Sequence, residues 1–256
     1  MTGRKLEWVA SLNRDGFAIL DRILTPARVA DLIEASGGWS LVGRDGVLDR
    51  RGETYGIRDL LWRFLDVKVL ANSPELMAMV EPVLGRGAFA VRGLYFDKTP
   101  ETNWNLPWHQ DPTVAVCERR EVEGFGPWTL KAGIPHVHAP ADLLGRMLTI
   151  RIHLDECGPG NGPMRVLRGS HAYGKLSPGQ VASWSARAGE IGQDCLVPAG
   201  GVVIMRPLIL HASASSTGPG HRRVIHLEYA AAELPEGLSW YHPSFEALKE
   251  SGLRSF

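Results

Sequence analysis

The stretch that decides the fold is "GGVVIMRPLILHASASSTGPGHRRVIHLEYA", residues 200–230. Two short runs rich in β-branched and aliphatic residues, "GGVVIMR" and "RRVIHLEYA", stand on either side of a Gly/Pro turn, "STGPG". Neither run is long enough, nor has the 3.6-residue spacing, for an amphipathic helix. Strands joined by such turns belong to a sandwich or barrel and not to a βαβ sheet.

Working outward, the same texture begins at Phe89. "FAVRGLYFDK" (89–98), "RMLTIRIHLDE" (146–156) and "PMRVL" (163–167) are further β runs, and "CGPGNGP" (157–163) is another turn cluster. In the second of these runs Leu148, Ile150, Ile152 and Leu154 alternate with Thr149, Arg151 and His153. One face is apolar. The other is either a solvated exterior or the inside of a barrel greeting a polar or anionic substrate, which makes Arg151 and His153 candidate substrate contacts. The segment 117–145 between the runs is long, rich in Gly and Pro, and reads as an irregular lid. It carries Trp128, His136 and His138, and the two histidines are candidate substrate contacts.

Before Phe89 the chain reads as mostly helical. "LTPARVADLIEAS" offers Thr25 as N-cap and Pro26 at the first helical position, with Val29, Leu32 and Ile33 along one face. "NSPELMAMVEPVLG" repeats the device with Ser73 and Pro74, ends at Gly85, and is shortened or kinked by Pro82. "IRDLLWRFLDVKVLA" (57–71) reads as one more helix, and "GFAIL" (16–20) as a strand. The expectation is a single domain over 1–256: helical support over 1–88, a β core over 89–232 and a C-terminal extension over 233–256.

Composition narrows the function. With 28 basic and 28 acidic residues the formal charge is zero, which argues against a nucleic-acid partner. The three cysteines, without CxxC spacing, suit a reducing cytoplasm. No apolar run reaches the ~18 residues a membrane helix needs, and the N-terminus is broken by charges and is no signal peptide. A small-molecule substrate is the expected partner; oligomeric state is not written in the sequence.

"NWNLPWHQDPT" (103–113) holds the first chemical signal. His109 and Asp111, two apart, point the same way from a strand or its end. Two imidazoles and one carboxylate on one face of a metal leave open positions, the arrangement of iron(II) oxygenases. His211, after an apolar strand and before a Gly/Pro turn, is the candidate third ligand. Arg222, eleven residues on, offers a guanidinium for a carboxylate, and Ser213 shares the face of His211. Zinc uses the same ligand types, so the donor set alone does not name the metal.

Together, "WHQD", "NGPMRVLRGSH" and "HASASSTGPGHRR" resemble the phytanoyl-CoA dioxygenase family of iron(II)/2-oxoglutarate oxygenases, over about Asp97 to Tyr229. The resemblance implies a double-stranded β-helix, the cupin-like jelly roll, mainly β with an N-terminal helical layer. It implies His109, Asp111 and His211 as catalytic iron(II) ligands. Arg222 and Ser213 would hold the distal carboxylate of the cosubstrate 2-oxoglutarate, with Trp128 near it. It also implies a reaction in which O2 and 2-oxoglutarate give succinate, CO2 and a hydroxylated product; the carboxylate of Asp111 favours hydroxylation over halogenation. Arg168 in "RGSH" departs from the Pro common in relatives, which touches a turn and not the metal.

Two rivals stand beside this reading: a catalytically silent ligand-binding relative, and a cupin-type metalloenzyme that does not use 2-oxoglutarate. A second His-x-acid pair, His226 and Glu228, lacks a following His and Arg at the right spacing. If Arg222 faces the barrel interior, alternation sends His226 and Glu228 inward too. Only one of Arg222 and Arg223 can enter the barrel, and the spacing from His211 selects Arg222.

Overall fold

A computed structural model of the chain describes residues 2–39, 41, 46–50, 52–218 and 220–242. The end of the expected C-terminal extension, 243–256, lies outside the described residues. In chain order the first part comprises α1 (Thr2–Asp15), β1 (Phe17–Leu20), α2 (Pro26–Trp39), β2 (Val47–Arg50), β3 (Glu53–Arg58), α3 (Leu60–Arg63), α4 (Leu65–Ala71) and α5 (Pro74–Leu84). The middle comprises β4 (Phe89–Lys98), β5 (Leu106–His109), β6 (Thr113–Ala115), β7 (Trp128–Lys131), β8 (Ile134–His138), α6 (Ala141–Gly145), β9 (Leu148–His153) and β10 (Met164–Leu167). Then follow α7 (Pro178–Ser185), α8 (Ala188–Ile191), β11 (Gly192–Asp194), β12 (Val202–Met205), β13 (His211–Ser213) and β14 (Arg222–Ala230).

The strands form a seven-stranded sheet, β1-β12-β9-β14-β4-β3-β2, a four-stranded sheet, β11-β10-β13-β5, and a three-stranded sheet, β6-β8-β7. The pairings are antiparallel throughout. This is the jelly-roll architecture, with helices on the outer face of the large sheet. That outer face supplies Leu148, Ile150, Ile152, Val202, Ile204, Ile225 and Leu227 to a cluster with Leu32, Val67, Leu70 and Leu76 of the helices. Burying one such side chain contributes roughly 1.5–3 kcal/mol, so this contact fixes which face of each strand points outward. Gly93 lets α3 approach β4: a Cβ there would meet Leu61 Cγ at 3.1 Å and Leu60 Cβ at 3.2 Å. Among the described residues no helix is long and apolar enough to cross a membrane.

The helix caps follow the sequence. Thr25 Oγ1 accepts from the Arg28 amide at 3.2 Å, Ser73 caps α5 with Pro74 behind it, and Gly85 ends that helix at φ 90°. Other elements differ from expectation. The run 57–71 is not one helix: Ile57 and Arg58 belong to β3, paired with Tyr95 and Leu94, and Phe64 is extended at φ −129°, splitting the rest into α3 and α4. Strand pairing and the burial of Phe64 override local helix propensity. The first 88 residues therefore carry three strands as well as helices; α1 falls within the expected helical support, and α7 has no counterpart in the expected elements. The segment 117–145 is not irregular throughout: it contains the β7–β8 hairpin and α6. Its turn residues Ala132 and Gly133 both have positive φ, the signature of a tight two-residue hairpin connection. Finally, β9 has no solvated face; all six of its residues are buried.

Candidate active site

His109 ends β5 and His211 begins β13, and the two are directly opposed partners in the antiparallel register. Cross-strand partners share a face, so the two imidazoles meet with ring centroids 4.1 Å apart. Asp111 follows after a bend pinned from both sides. Its amide donates to Pro207 O at 3.0 Å. Gln110 between the ligands donates to Leu208 O (2.6 Å) and Gly174 O (2.8 Å) and accepts from the Leu176 amide (2.8 Å). The Asp111 carboxylate thus reaches back to the histidines: Oδ1 lies 3.9 Å from His109 Nε2, and Oδ2 lies 3.5 Å from His211 Nε2.

The three ligand atoms lie within 4.8 Å of one another. In both imidazoles Nδ1 is engaged by a carbonyl two residues back, Pro107 O at 2.8 Å and Ile209 O at 3.0 Å. A carbonyl only accepts, so each Nδ1 carries the proton and each Nε2 presents its lone pair to the common centre. Burial pushes the His211 imidazolium down to about 4, which keeps the ring neutral as a ligand must be. Burial works against the Asp111 carboxylate, but His211, His226, His109 and Arg92 outweigh it and hold the group well below the usual carboxylate range. Two imidazoles whose Nε2 atoms face a common centre and an ionised carboxylate fit a divalent metal of the iron(II) oxygenase type.

Beside this triad the inner faces of β4, β9 and β14 supply charge. Alternation along β14 sends Arg222, Val224, His226 and Glu228 inward; along β9 it sends Thr149, Arg151 and His153 inward. Arg222 is buried, and its Nη1 donates to Gly162 O at 2.6 Å. Arg223 points the other way and grips Asp155 from Nε (2.9 Å) and Nη2 (2.7 Å). Lys98, the register partner of Arg222, is fully buried and donates to Ser213 Oγ (3.0 Å) and Ala214 O (2.6 Å). Lys98, Arg151 and Arg222 have no carboxylate partner among the described residues. Nε of Arg151 and of Arg222, and both ring nitrogens of His153, are buried without a hydrogen-bond partner. Buried cations with idle donors are costly unless an anion completes them, and a dicarboxylate is the chemical complement.

Arg151 Nη1 donates to His226 Nδ1 (2.9 Å), so His226 Nε2 donates to Glu228 Oε1 (3.2 Å). The same Oε1 of Glu228 also accepts from Arg92 Nη2. The cleft over the triad is lined by Arg92, Leu94, Phe96, Arg151, Met164, Ser213 and His226 with His109, Asp111 and His211 themselves.

The sequence of residues 12–224 matches the profile of the phytanoyl-CoA dioxygenase (PhyH) family. The chain belongs to the phytanoyl-CoA dioxygenase family. By sequence, no curated protein matches the chain significantly. By structure, this phytanoyl-CoA dioxygenase family member resembles EctD from S. alaskensis with 2-oxoglutarate and 5-hydroxyectoine: TM-score 0.70, 20% identity, covering 90% of this chain and 76% of that one. It also resembles HygX from Streptomyces hygroscopicus with nickel and 2-oxoglutarate (TM-score 0.63, 16% identity, 88% and 86% coverage). The third is SnoN, a non-heme alpha-ketoglutarate-dependent epimerase from nogalamycin biosynthesis (TM-score 0.67, 14% identity, 91% and 83% coverage).

The fold brings together His109, Asp111, His211, Ser213 and Arg151 at the cleft, with Arg222 and His153 behind them. His136 is buried and lines a neighbouring pocket. Trp128 packs at the edge of the cluster beneath the hairpin, under the Arg119 guanidinium at 5.7 Å, and is not a cleft-lining residue. His138 is half-buried and outside both pockets. Sequence reasoning missed Lys98 and Arg92. Their signal was the alternation Arg92, Leu94, Phe96, Lys98 in "FAVRGLYFDK", which puts two cations on one strand face.

Proposed function

We propose that the chain, acting as one oxygenase domain, is an iron(II)- and 2-oxoglutarate-dependent dioxygenase. It hydroxylates a small organic molecule and releases succinate and CO2. The observation that carries this is the triad of His109, Asp111 and His211, with both imidazoles oriented by their Nδ1 contacts. The buried cations that take a dicarboxylate stand next to it.

Iron(II) with 2-oxoglutarate and O2 supplies the oxidising power for attack on a substrate C–H bond. The rest falls to the chain's own side chains. His109, Asp111 and His211 would hold the metal. Arg222, Ser213 and Lys98 receive the distal carboxylate of 2-oxoglutarate. Arg151 and His153 extend that positive wall. Leu94, Phe96 and Met164 exclude water from the cleft. The fold of EctD and HygX, whose structures contain 2-oxoglutarate, supports the reading. The presence of an epimerase, SnoN, among the similar structures makes product analysis part of the test.

The test is anaerobic reconstitution with iron(II), addition of 2-oxoglutarate and then O2, with succinate measured alone and against a metabolite panel. Iron-dependent succinate release, with an oxygen atom incorporated into one panel compound, is the expected result. Absence of succinate from iron-loaded protein sinks the reading and leaves a silent relative or a metalloenzyme that does not use 2-oxoglutarate.

A further inference from the structure

The cleft does not end at the triad. Arg92 and Leu94 are shared with a second pocket, lined by Arg58, Asp59, Ala115, Ile134, His136, Tyr241 and His242. Arg58 is the register partner of Leu94 across β3 and β4, so its side chain stands on the same face as Leu94 and Arg92. Arg92 and Lys98 are six residues apart on one strand, roughly 20 Å. The second pocket therefore sits at the opposite end of the inner face from the 2-oxoglutarate cradle.

Its charges do not balance. Glu228 is committed to Arg92 and His226. The Asp59 carboxylate is committed to His242 Nε2 at 2.8 Å and accepts from the Tyr241 hydroxyl at 3.5 Å. No carboxylate among the described residues pairs with Arg58. Arg92 is buried, and its Nε has no acceptor. Lys131 adds a further positive charge that acts on His136 together with Arg92 and Arg58. Burial, then the field of these cations, pushes the His136 imidazolium down to about 4. Asp59 holds this wall from a left-handed conformation, φ 63°, a strained backbone for a non-glycine residue of the kind found at ligand sites.

We propose, on the footing of the oxygenase reading above, that the substrate is an organic anion, a carboxylate or a phosphate monoester. Arg58 and the Nε edge of Arg92 receive its charged group, and its carbon skeleton runs past Leu94 toward the metal triad. The charged group completes the donors that the protein leaves open, and Leu94 and Phe96, which line the cleft leading to the triad, provide the apolar wall for the skeleton. The same geometry disfavours a cationic substrate, since Arg58, Arg92 and Lys131 raise the local potential against it.

The experiment uses iron(II)-loaded protein held anaerobically with saturating 2-oxoglutarate, so that the Lys98–Arg222 end is filled. Binding of four probes of one shape is measured by calorimetry: benzoate, phenyl phosphate, benzyl alcohol and benzylamine. At least one of the two anions binds about tenfold or more tightly than benzyl alcohol, and their ranking separates the carboxylate source from the phosphate source. In Arg58→Gln the anion advantage falls below about threefold. Benzyl alcohol or benzylamine binding as tightly as both anions overturns the proposal, as does an undiminished anion preference in Arg58→Gln. If that variant does not fold by circular dichroism, Lys131→Gln replaces it: a threefold loss supports the proposal and an unchanged preference overturns it. The outcomes separate the two readings. Anion preference without any succinate release condemns the oxygenase assignment alone; succinate release without anion preference condemns this inference alone.

Discussion

Lys98 and Arg222 face each other across the β4–β14 ladder as register partners, both buried and neither opposed by a carboxylate among the described residues. Like charges directly opposite on a sheet repel. The pairing makes sense as half of a site whose other half is an anion. Burial, then Arg222 and Arg151, pushes the Lys98 ammonium down to about 7, and burial, then Arg151, pushes Arg222 down to about 10.

Two adjacent arginines separate the inner and outer faces of β14. Arg222→Ala removes charge-assisted hydrogen bonds worth about 1.5–3 kcal/mol and raises the apparent constant for 2-oxoglutarate at least about tenfold, since 1.4 kcal/mol is a factor of ten. Arg223→Ala changes that constant less than about threefold, because Arg223 is spent on Asp155. Steady-state titration of 2-oxoglutarate checks both; a larger defect in Arg223→Ala contradicts the inward placement of Arg222.

The depressed Lys98 gives a signed pH dependence. Its folded value of about 7 stands against 10.5 for the ordinary group. Between these values the unfolded chain binds more protons, so this group makes stability rise with pH from about 7 to about 10.5, by up to about 1.4 kcal/mol per pH unit. Lys98→Met lacks that contribution, and saturating 2-oxoglutarate suppresses it in the wild type by favouring the charged ammonium. Urea unfolding of both proteins across this pH range, with and without 2-oxoglutarate, measures the difference; identical slopes would remove Lys98 from the site.

Asp111 supplies the only carboxylate of the triad. Asp111→Ala leaves only the two imidazoles, and iron retained after gel filtration falls from near one per chain to less than about a tenth, as expected if one of three ligands is lost. Elemental analysis is the readout. Full iron occupancy in the variant would show that the carboxylate is no ligand.

Gly162 couples the turn before β10 to the buried Lys98 and Arg222, the proposed cosubstrate contacts. Its φ is +55°, and a Cβ there would lie 2.3 Å from Ala214 O, the carbonyl that accepts from Lys98. Its own carbonyl accepts from Arg222. Gly162→Ala therefore costs about 2 kcal/mol or more, from backbone strain and displacement of residue 214, and it raises the 2-oxoglutarate constant as well. Thermal unfolding and 2-oxoglutarate titration test the two halves separately.

The sequence by itself determined the parts of this protein written in short-range pattern. The alternation in "RRVIHLEYA" placed Arg222, His226 and Glu228 on one face. The caps at Thr25, Ser73 and Gly85 located two helices, and the pair His109 and Asp111 stood two apart in one short motif, with His211 joined to them as a candidate through its place after an apolar strand and the family resemblance. Each depends on near neighbours, and period-2 or capping chemistry suffices. Only the tertiary structure decided the rest. β3 claims Ile57 and Arg58 at the start of a run that local propensity favours as one helix, and the extended, buried Phe64 splits the rest. The strip 128–138 forms a hairpin by pairing with itself and with β6. His109 and His211 meet because β5 and β13 align in register across a separation that no local pattern encodes. The large sheet buries one face against helices and keeps the other for charge, and this made Arg151, Lys98 and Arg222 buried cations without a carboxylate partner among the described residues. Burial and cross-strand register are properties of the packed chain, so they enter only once distant segments have met.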